Sequence, residues 1–579
     1  MILQALTSLY EALAQKGEIS KEGWSGWSRE KISFALGIDE NGDLLRITPL
    51  FETVDMPKGK KKEEPQKMMV PIKVGNKSPK FLWGNSGFIL GAANDKTPEK
   101  AKECFERNRQ FHHQLLDKVD SPAAKAILNF FDGWEPEKTT ENELVAQYAS
   151  ELLGSANMVF RFNGKFVHEI PELSAAWQTH YGAAQTEKEQ CLITGMLDAI
   201  PETHPLIKGI QGAQSSGAAL VSFNGPAFCS YNKLQNHNAP VGKYAAFAYT
   251  TALNHLLADK SNVHRIGDAS VVCWAENADK QYEDFAAEVF FGDNVDKSDE
   301  QRLSALRTSL KLLADGLPCK EMDLDPDRKF YILGLSPNAA RIAVRFFYCD
   351  SFGKIAGNIY RHHERLEIVR PSYDKFPILP LWKLLSATVN PNAKDKTPNA
   401  AMAGAVARAV FSGGRYPASL LECTFLRIKA ERNITRERAA IIKAYYLRNP
   451  NEKCPKEVLT VSLNENSKNI PYTLGRLFSV YEEIQQAANP GINTTIKDRY
   501  FGSAAAMPAT VFPILSNLAQ KHLRKLSDAQ RVYLDKKVMT LKSVLGEQYP
   551  AHMSLPEQGS FDLGYYHQTQ ARYTKKEDK

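Results

Sequence analysis

The hydrophobic pattern of this chain changes period near residue 376, and no single class of architecture serves both sides of that change. Before it, several runs alternate with a period of two. SFALGID and LLRITPL flank Glu40-Asn41-Gly42-Asp43, and MVFRFNGKFVHEI (158–170) turns at Asn163-Gly164; Asn-Gly between apolar runs marks a tight hairpin. GAALVSFN (217–224), ASVVCWA (269–275), FYILGLSP and ARIAVRFFYCDS read as further strands. Helical spacing interleaves with them at 97–118, opened by Thr97-Pro98-Glu99, at Glu141 to Leu153, at Lys243 to Asp259 and near 299–315. From Leu379 onward almost every segment has helical period: 398–411, 416–432, 436–448, 471–488, 507–526 and 527–546. The expectation is an α+β chain with a mixed N-terminal domain of antiparallel hairpins (1–375), a basic helical connecting region (376–456) and a C-terminal helical bundle (457–579).

The 579 residues suffice for several cores, and 43% hydrophobic with 24% charged residues excludes a chain dominated by disorder. No apolar run reaches the ~20 residues needed to cross a bilayer; the richest, Met402 to Phe411, is broken by Arg408. The first residues, MILQALTSLYEALAQKGEI, read as an amphipathic helix rather than a signal peptide. Eight cysteines without a C-x-x-C pair read as reduced thiols, so the expected location is cytoplasmic.

Catalytic signatures are missing. Val74-Gly75-Asn76-Lys77-Ser78 lacks P-loop spacing, and there is neither an H-E-x-x-H nor a G-x-S-x-G. The doublets at His112/His113 and His362/His363 read as surface histidines on charged helices, and Asp325-Pro326-Asp327-Arg328-Lys329 as an Asp-Pro turn. The expectation is a protein that is not an enzyme and needs neither cofactor nor metal.

The net charge of +7 is mild, but it is unevenly placed. Val54 to Lys80 carries eight lysines against three acids and four prolines, the composition of an exposed, irregular loop that can neutralise phosphates, Lys77 and Lys80 among its cations. Gly404 to Glu457 carries eleven Lys and Arg against five acids.

Three constellations could meet nucleic acid. The densest, Val221 to Leu257, places Asn224, Ser230, Tyr231, Lys233, Gln235, Asn236 and Asn238 between a strand and a helix. Asn and Gln offer a donor and an acceptor together, which suits base edges, while Tyr stacks and Lys meets phosphate. An Asn-rich turn bonding its own backbone explains the same residues. The second, Phe81 to Gly91, has aromatics and glycines around Asn85, able either to wedge bases or to pack in a core. In the third, Pro471 to Leu515, Lys497 and Arg499 sit in an inter-helix segment that can face phosphate, and Lys521, Arg524, Lys525 and Arg531 follow on neighbouring turns.

Taken in order, VSFN…AFCSY…QNHNAPVG…YTTALNHLL, FYILGLSPNAARIAVRFF, YTLGRLFSVYEEIQ, TTIKDRYFGSAAAMPATVFP and EQGSFDLGYYHQTQ resemble the large subunit of the type I-C CRISPR Cascade, an RNA-guided surveillance complex, nearly end to end. The resemblance implies a non-catalytic subunit that binds target double-stranded DNA beside the crRNA and recognises the protospacer-adjacent motif. It also implies a role in opening the duplex and stabilising the R-loop, contacts with the other Cascade subunits, and recruitment of a helicase-nuclease. The division of labour is general: protein reads the flanking motif, and guide pairing reads the sequence. The alternative is a purely structural scaffold anchoring the crRNA end of the filament. The resemblance further implies that the C-terminal bundle is like the small subunit and is also made separately by internal initiation. With no Met between Met402 and Met507, a start near residue 457 requires a non-AUG codon, at Val458 or Val461.

Overall fold

The computed structural model describes residues 1–19, 26–56, 60–72, 78–154, 156–183, 188–292 and 300–573. They form two compact units: Leu3–His204 with Phe223–Tyr249, and Pro205–Ser222 with the chain from Thr250 onward. The change of period at 376 falls inside the second unit. The fold is α+β, with mainly antiparallel sheets and several helices before that point and, among the described residues, helices as its regular elements after it.

In the first unit, helix α1 (Ile2–Gln15) is followed by a long hairpin that changes sheets midway. Strands β1 (Trp27–Ile32) and β2 (Phe34–Ile38) are separated only by Ser33, and β3 (Leu44–Pro49) and β4 (Phe51–Met56) only by Leu50. β2 and β3 pair from Phe34↔Pro49 to Ile38↔Leu44 around the expected turn, where Asp39 Oδ1 accepts the N–H groups of Asn41 and Asp43. Gly42 has φ +87°, and a Cβ there would lie 2.3 Å from the Phe130 nitrogen, so only glycine fits. Beyond Ser33 and Leu50 a new strand, β5 (Lys60–Pro71), takes over the pairing. Its first half faces β4 and its second half faces β1, with Pro65 at the switch.

The lysine-rich stretch is therefore not an irregular loop over Lys60–Pro71 but a strand. Its inner half buries Met68 and Val70 at alternate positions, and Lys31 pairs with Glu64 at 2.9 Å across the ribbon. Backbone pairing with two partners outweighs a composition that, by itself, favours solvent.

β6 (Trp83–Asn85), β7 (Asn157–Phe162) and β8 (Lys165–Phe166) complete the second sheet, β7 running parallel to β2 and turning into β8 at Asn163-Gly164, both at positive φ. Helices α2 (Pro98–Leu116), α3 (Pro122–Gly133) and α4 (Pro171–Ala183) contribute Phe105, Phe130, Phe131 and Trp177 to a core shared with Phe34 and Phe160 of the sheet. Glu141 to Leu153 is not one helix but two single turns, Glu143–Ala146 and Ala149–Leu152. Tyr148 breaks them, its ring packed 5.5 Å from Phe34, a tertiary contact that overrides local propensity. A short ribbon, β9 (Lys188–Gln190) with β10 (Leu197–Ala199), precedes helix α5 (Lys243–Ala258).

The second unit has a four-stranded antiparallel sheet, β11 (His264–Ile266), β12 (Ala269–Ala275), β13 (Lys329–Asn338) and β14 (Arg341–Ser351), in that order. GAALVSFN is no strand: only Ala218 and Ala219 form isolated bridges, and the chain passes between compact units at Ser222/Phe223. An apolar run becomes a buried strand only where neighbours satisfy its backbone along its length, and here they do so for two residues. Helices α6 (Glu300–Ala314) and α7 (Phe352–Leu366) pack together beside the sheet. α8 (Ala400–Ser412), α9 (Ala418–Glu431), α10 (Arg436–Arg448), α11 (Ile470–Ala488), α12 (Ile496–Ala506), α13 (Pro508–Leu523), α14 (Asp528–Val544) and α15 (Leu555–Ala571) follow.

His112 and His362, expected on the surface, are buried. His112 Nδ1 donates to the Asn108 carbonyl at 2.7 Å and Nε2 accepts the Leu82 N–H at 2.9 Å, while His362 Nδ1 lies 2.6 Å from the Tyr416 hydroxyl. Burial holds His112, His168 and His204 down to about 4 and His567 to about 3. Unfolded histidine takes up its proton near 6.5, so between that pH and about 4 the unfolded state binds more protons than the folded one. Stability is expected to be fully present above pH 6.5 and to fall on acidification towards pH 4, by up to about 1.4 kcal/mol per pH unit for each such histidine. Denaturation midpoints between pH 4 and 8 measure it; a flat profile contradicts neutral burial.

α11 and α15 cross where Gly475 meets Gly564. A Cβ on Gly475 would sit 2.0 Å from the Phe561 oxygen, and one on Gly564 would sit 2.1 Å from the Tyr472 oxygen. Gly475→Ala or Gly564→Ala is expected to destabilise the chain by roughly 3 kcal/mol, the upper end for forced overpacking. Gly502→Ala, on α12 with open space around it, is expected to stabilise by about 0.5–1 kcal/mol. Urea denaturation followed by circular dichroism separates the three.

Candidate nucleic-acid interface

In the first unit, the polar stretch from Asn224 to Gly242 is fastened at its base and open at its tip. The base rests on the β9–β10 ribbon: His237 Nδ1 bonds the Glu189 carboxylate, and Leu192 donates to the Pro240 carbonyl at 2.9 Å. Gly242 donates to Cys191 Sγ at 3.2 Å, and Tyr244 N–H to Asp198 Oδ2 at 3.1 Å. A Cβ on Gly242 would meet that carboxylate at 2.3 Å, which is why glycine opens the approach to α5. Lys243 is held inside, its ammonium 3.4 Å from the Tyr181 ring centroid, and burial pushes it down to about 8.

Asn238 ties the tip together. Its Oδ1 accepts the Ser230 N–H at 2.8 Å, and its Nδ2 donates to the carbonyls of Lys233 and Gln235 at 3.0 and 2.9 Å. Asn236 is buried and donates to the Val241 carbonyl. Their polar groups thus bond the loop's own backbone, the second of the two readings open from sequence. What remains presented is Tyr231, 97% exposed, with Lys233 and Leu234 exposed and Gln235 half-exposed; Asn224 and Ser230 lie exposed at the loop's entrance. Tyr231, Asn232 and Gln235 have φ of 54°, 58° and 44°, a left-handed path that turns the Tyr231 ring outward.

The Phe81 to Gly91 segment is core. Phe81, Leu82, Trp83, Phe88, Ile89 and Leu90 are buried, and α2 stitches them down through Asn108, which accepts the Lys80 N–H and donates to the Phe88 carbonyl. Lys80 is itself buried, its ammonium 4.6 Å from the Trp83 ring centroid. Asn85 precedes a single helical turn and its Oδ1 is buried without a partner. Lys77 lies outside the described residues.

In the second unit, Lys497 and Arg499 are not in an inter-helix segment but in the first turn of α12, opened by a capping box between Thr495 and Asp498. Thr-x-x-Asp at a helix start is the signal that sequence reading passed over. Lys497 is half-buried, donating to Asn433 Oδ1 at 3.3 Å, and burial lowers its pKa; Arg499 is exposed. Lys521 and Arg524 are exposed at the end of α13. α14 adds cations and an aromatic not singled out from sequence: Leu534, Val538 and Leu541 face the core, leaving Val532, Tyr533, Lys536 and Met539 exposed. Their helical offset from the core residues is the signal that could have found them.

A family model described as CRISPR-associated protein (Cas_Csd1) matches residues 6–573. The chain belongs to the Cas_Csd1 family of CRISPR-associated proteins. No curated protein matches the chain. For this Cas_Csd1 member, among the described residues, no three His, Cys, Asp or Glu side chains gather to hold a metal, and no helix is long and apolar enough to cross a membrane.

Asn238→Ala removes three hydrogen bonds from the loop. It is expected to speed amide exchange at 230–235 by about tenfold or more, corresponding to roughly 1.4 kcal/mol of local stability, with little change elsewhere. Unchanged exchange would mean that the loop is held by something other than Asn238.

Proposed function

We propose that the chain is the non-catalytic large subunit of a type I-C CRISPR Cascade complex. It binds target DNA beside the crRNA, recognises the protospacer-adjacent motif, helps open the duplex, stabilises the R-loop and recruits the helicase-nuclease. The observation that carries the reading is the 230–238 loop: a base-stacking ring, a cation and an amide raised on a backbone that Asn238 and the β9–β10 ribbon hold in place. Such a tip combines stacking, phosphate contact and base-edge bonding in one exposed turn. The near full-length family match supplies the context.

The exposed cations at Arg499, Lys521, Arg524 and Lys536, with Tyr533 beside the last, support a second role, retention of an opened strand through its phosphates. The two roles separate by experiment in the complex assembled with guide RNA. Tyr231→Ala and Gln235→Ala are expected to reduce preference for motif-bearing duplex by about 1–3 kcal/mol per lost base contact while leaving assembly intact. Lys521→Glu with Arg524→Glu is expected to weaken binding to all targets alike and to flatten its salt dependence. Equal binding of motif-bearing and motif-free duplex, with or without this subunit, assigns it the scaffold role instead.

A further inference from the structure

The sequence contains three Asn-Gly steps, and the fold treats them differently. Asn41-Gly42 and Asn163-Gly164 each close a hairpin, and both asparagines are exposed. The third, Asn224-Gly225, is not such a turn, because Gly225 is extended with φ −145° and ψ 148°. Asparagine followed by glycine carries a reaction of its own: the next backbone nitrogen can reach the side-chain carbonyl carbon when no Cβ stands in the way. Whether that reaction proceeds depends on whether the nitrogen is free and whether the turn can rotate.

At Gly42 neither condition is met. Its N–H donates to the Asp39 carbonyl at 3.2 Å, and Asp39 Oδ1 accepts the N–H groups of Asn41 and Asp43 on either side. Asn129 Nδ2 donates to the Glu40 carbonyl at 3.2 Å, and Gly42 is buried against the Phe130 nitrogen. Gly164 is the opposite case. It is exposed, and a Cβ there would meet nothing within 4 Å. Among the described residues, the Gly164 N–H and the Asn163 side-chain amide have no hydrogen-bond partner. The strand that follows pairs only at Arg161↔Phe166 and Phe162↔Lys165, so little opposes the rotation about the Asn163 Cα–C bond that brings the Gly164 nitrogen behind Cγ.

We infer that Asn163 is a site of spontaneous deamidation and that the fold protects Asn41 from the same reaction. The Gly164 nitrogen attacks Asn163 Cγ and closes a five-membered succinimide. The Cγ–Nδ2 bond breaks, and the amide nitrogen leaves as ammonia with the proton that the Gly164 nitrogen gives up. Water then opens the ring: hydrolysis of the new bond to Cγ gives aspartate, and hydrolysis of the original peptide bond gives isoaspartate. Isoaspartate adds a methylene to the backbone of a two-residue turn and places a carboxylate beside Lys165. The turn then no longer sets the register of β8, and Phe166, over which the Arg161 guanidinium sits at 4.2 Å, is the first side chain affected. None of this rests on the function proposed above.

The test is peptide mass spectrometry of the full chain after incubation in mildly alkaline buffer, folded and in concentrated urea, with the aspartate and isoaspartate forms separated by chromatography. In the folded chain Asn163 is expected to convert about tenfold faster than Asn41 or more, since Asn41 must first break the hydrogen bonds around Gly42; in urea the two rates are expected to agree within about twofold. Gly164→Ala is expected to slow conversion of Asn163 severalfold in urea as well as in the folded chain, because the added Cβ hinders ring closure in either state. Amide exchange at Lys165 and Phe166 is expected to quicken as isoaspartate accumulates. Equal rates at the two sites in the folded chain, faster conversion at Asn41, or an Asn163 that stays intact when folded but converts in urea overturns the proposal, and unchanged exchange overturns the loss of register.

Discussion

The second unit is organised by the contact of two helix backbones. At Gly475 and Gly564 the chains of α11 and α15 approach so closely that a methyl group on either would overlap a carbonyl oxygen of the other. Approach at that distance brings polar side chains on both helices within bonding range. Tyr472 meets His567 at 2.9 Å, Arg476 meets Gln568 at 3.1 Å, Ser479 meets Thr569 at 2.8 Å, and Tyr565 donates to Glu482 at 2.6 Å. Each is costly to bury alone and acceptable once paired, so the glycines and the polar ladder require each other. The ladder also reaches outward. Glu482 accepts the Thr495 hydroxyl and Gln485 accepts the Ile496 N–H, which fixes the start of α12 and with it Lys497 and Arg499. α13 and α14 pack on α11, so the placement of Lys521, Arg524 and Lys536 traces back to the same crossing.

How far the fold was legible depended on how much of each element's stability is local. The hairpins at Asn41-Gly42 and Asn163-Gly164 carry their turn chemistry in two residues, and the long C-terminal helices carry theirs in period, so both could be read directly. β5 could not, because what makes Lys60–Pro71 a strand is two partners distant in sequence. The error at 217–224 is the converse. Ala218 to Phe223 has a strand's composition, but the chain leaves its neighbours after two bridges. Tyr148 splits an otherwise plausible helix for the same reason, a long-range contact with Phe34.

Among the polar residues singled out for nucleic acid, sequence could identify neighbourhoods but not availability. Asn238 and Lys233 lie in the same loop, yet the amide is bonded inward and the lysine is exposed. Lys80 and Lys521 have the same charge, but one ammonium is buried over Trp83 and the other stands in solvent. Burial decides which donors and acceptors remain for a ligand, and burial is set by elements far along the chain: α2 for Lys80, the β9–β10 ribbon for the loop.

The backbone of the loop adds a reason to regard its tip as prepared rather than incidental. Three non-glycine residues within five, Tyr231, Asn232 and Gln235, hold positive φ, at a cost of order 1–3 kcal/mol each. Relaxation is opposed by the fastenings at Asn238, His237, Gly242 and Tyr244. The result is that Tyr231 stands clear of its neighbours instead of folding back on Leu234 or Phe228, both also exposed. A side chain presented on a backbone already fixed would lose less entropy in the base or phosphate contact proposed above, so more of that contact would appear as affinity. A flexible basic arm would have placed that loss in the binding step. Here folding of the first unit has already met it.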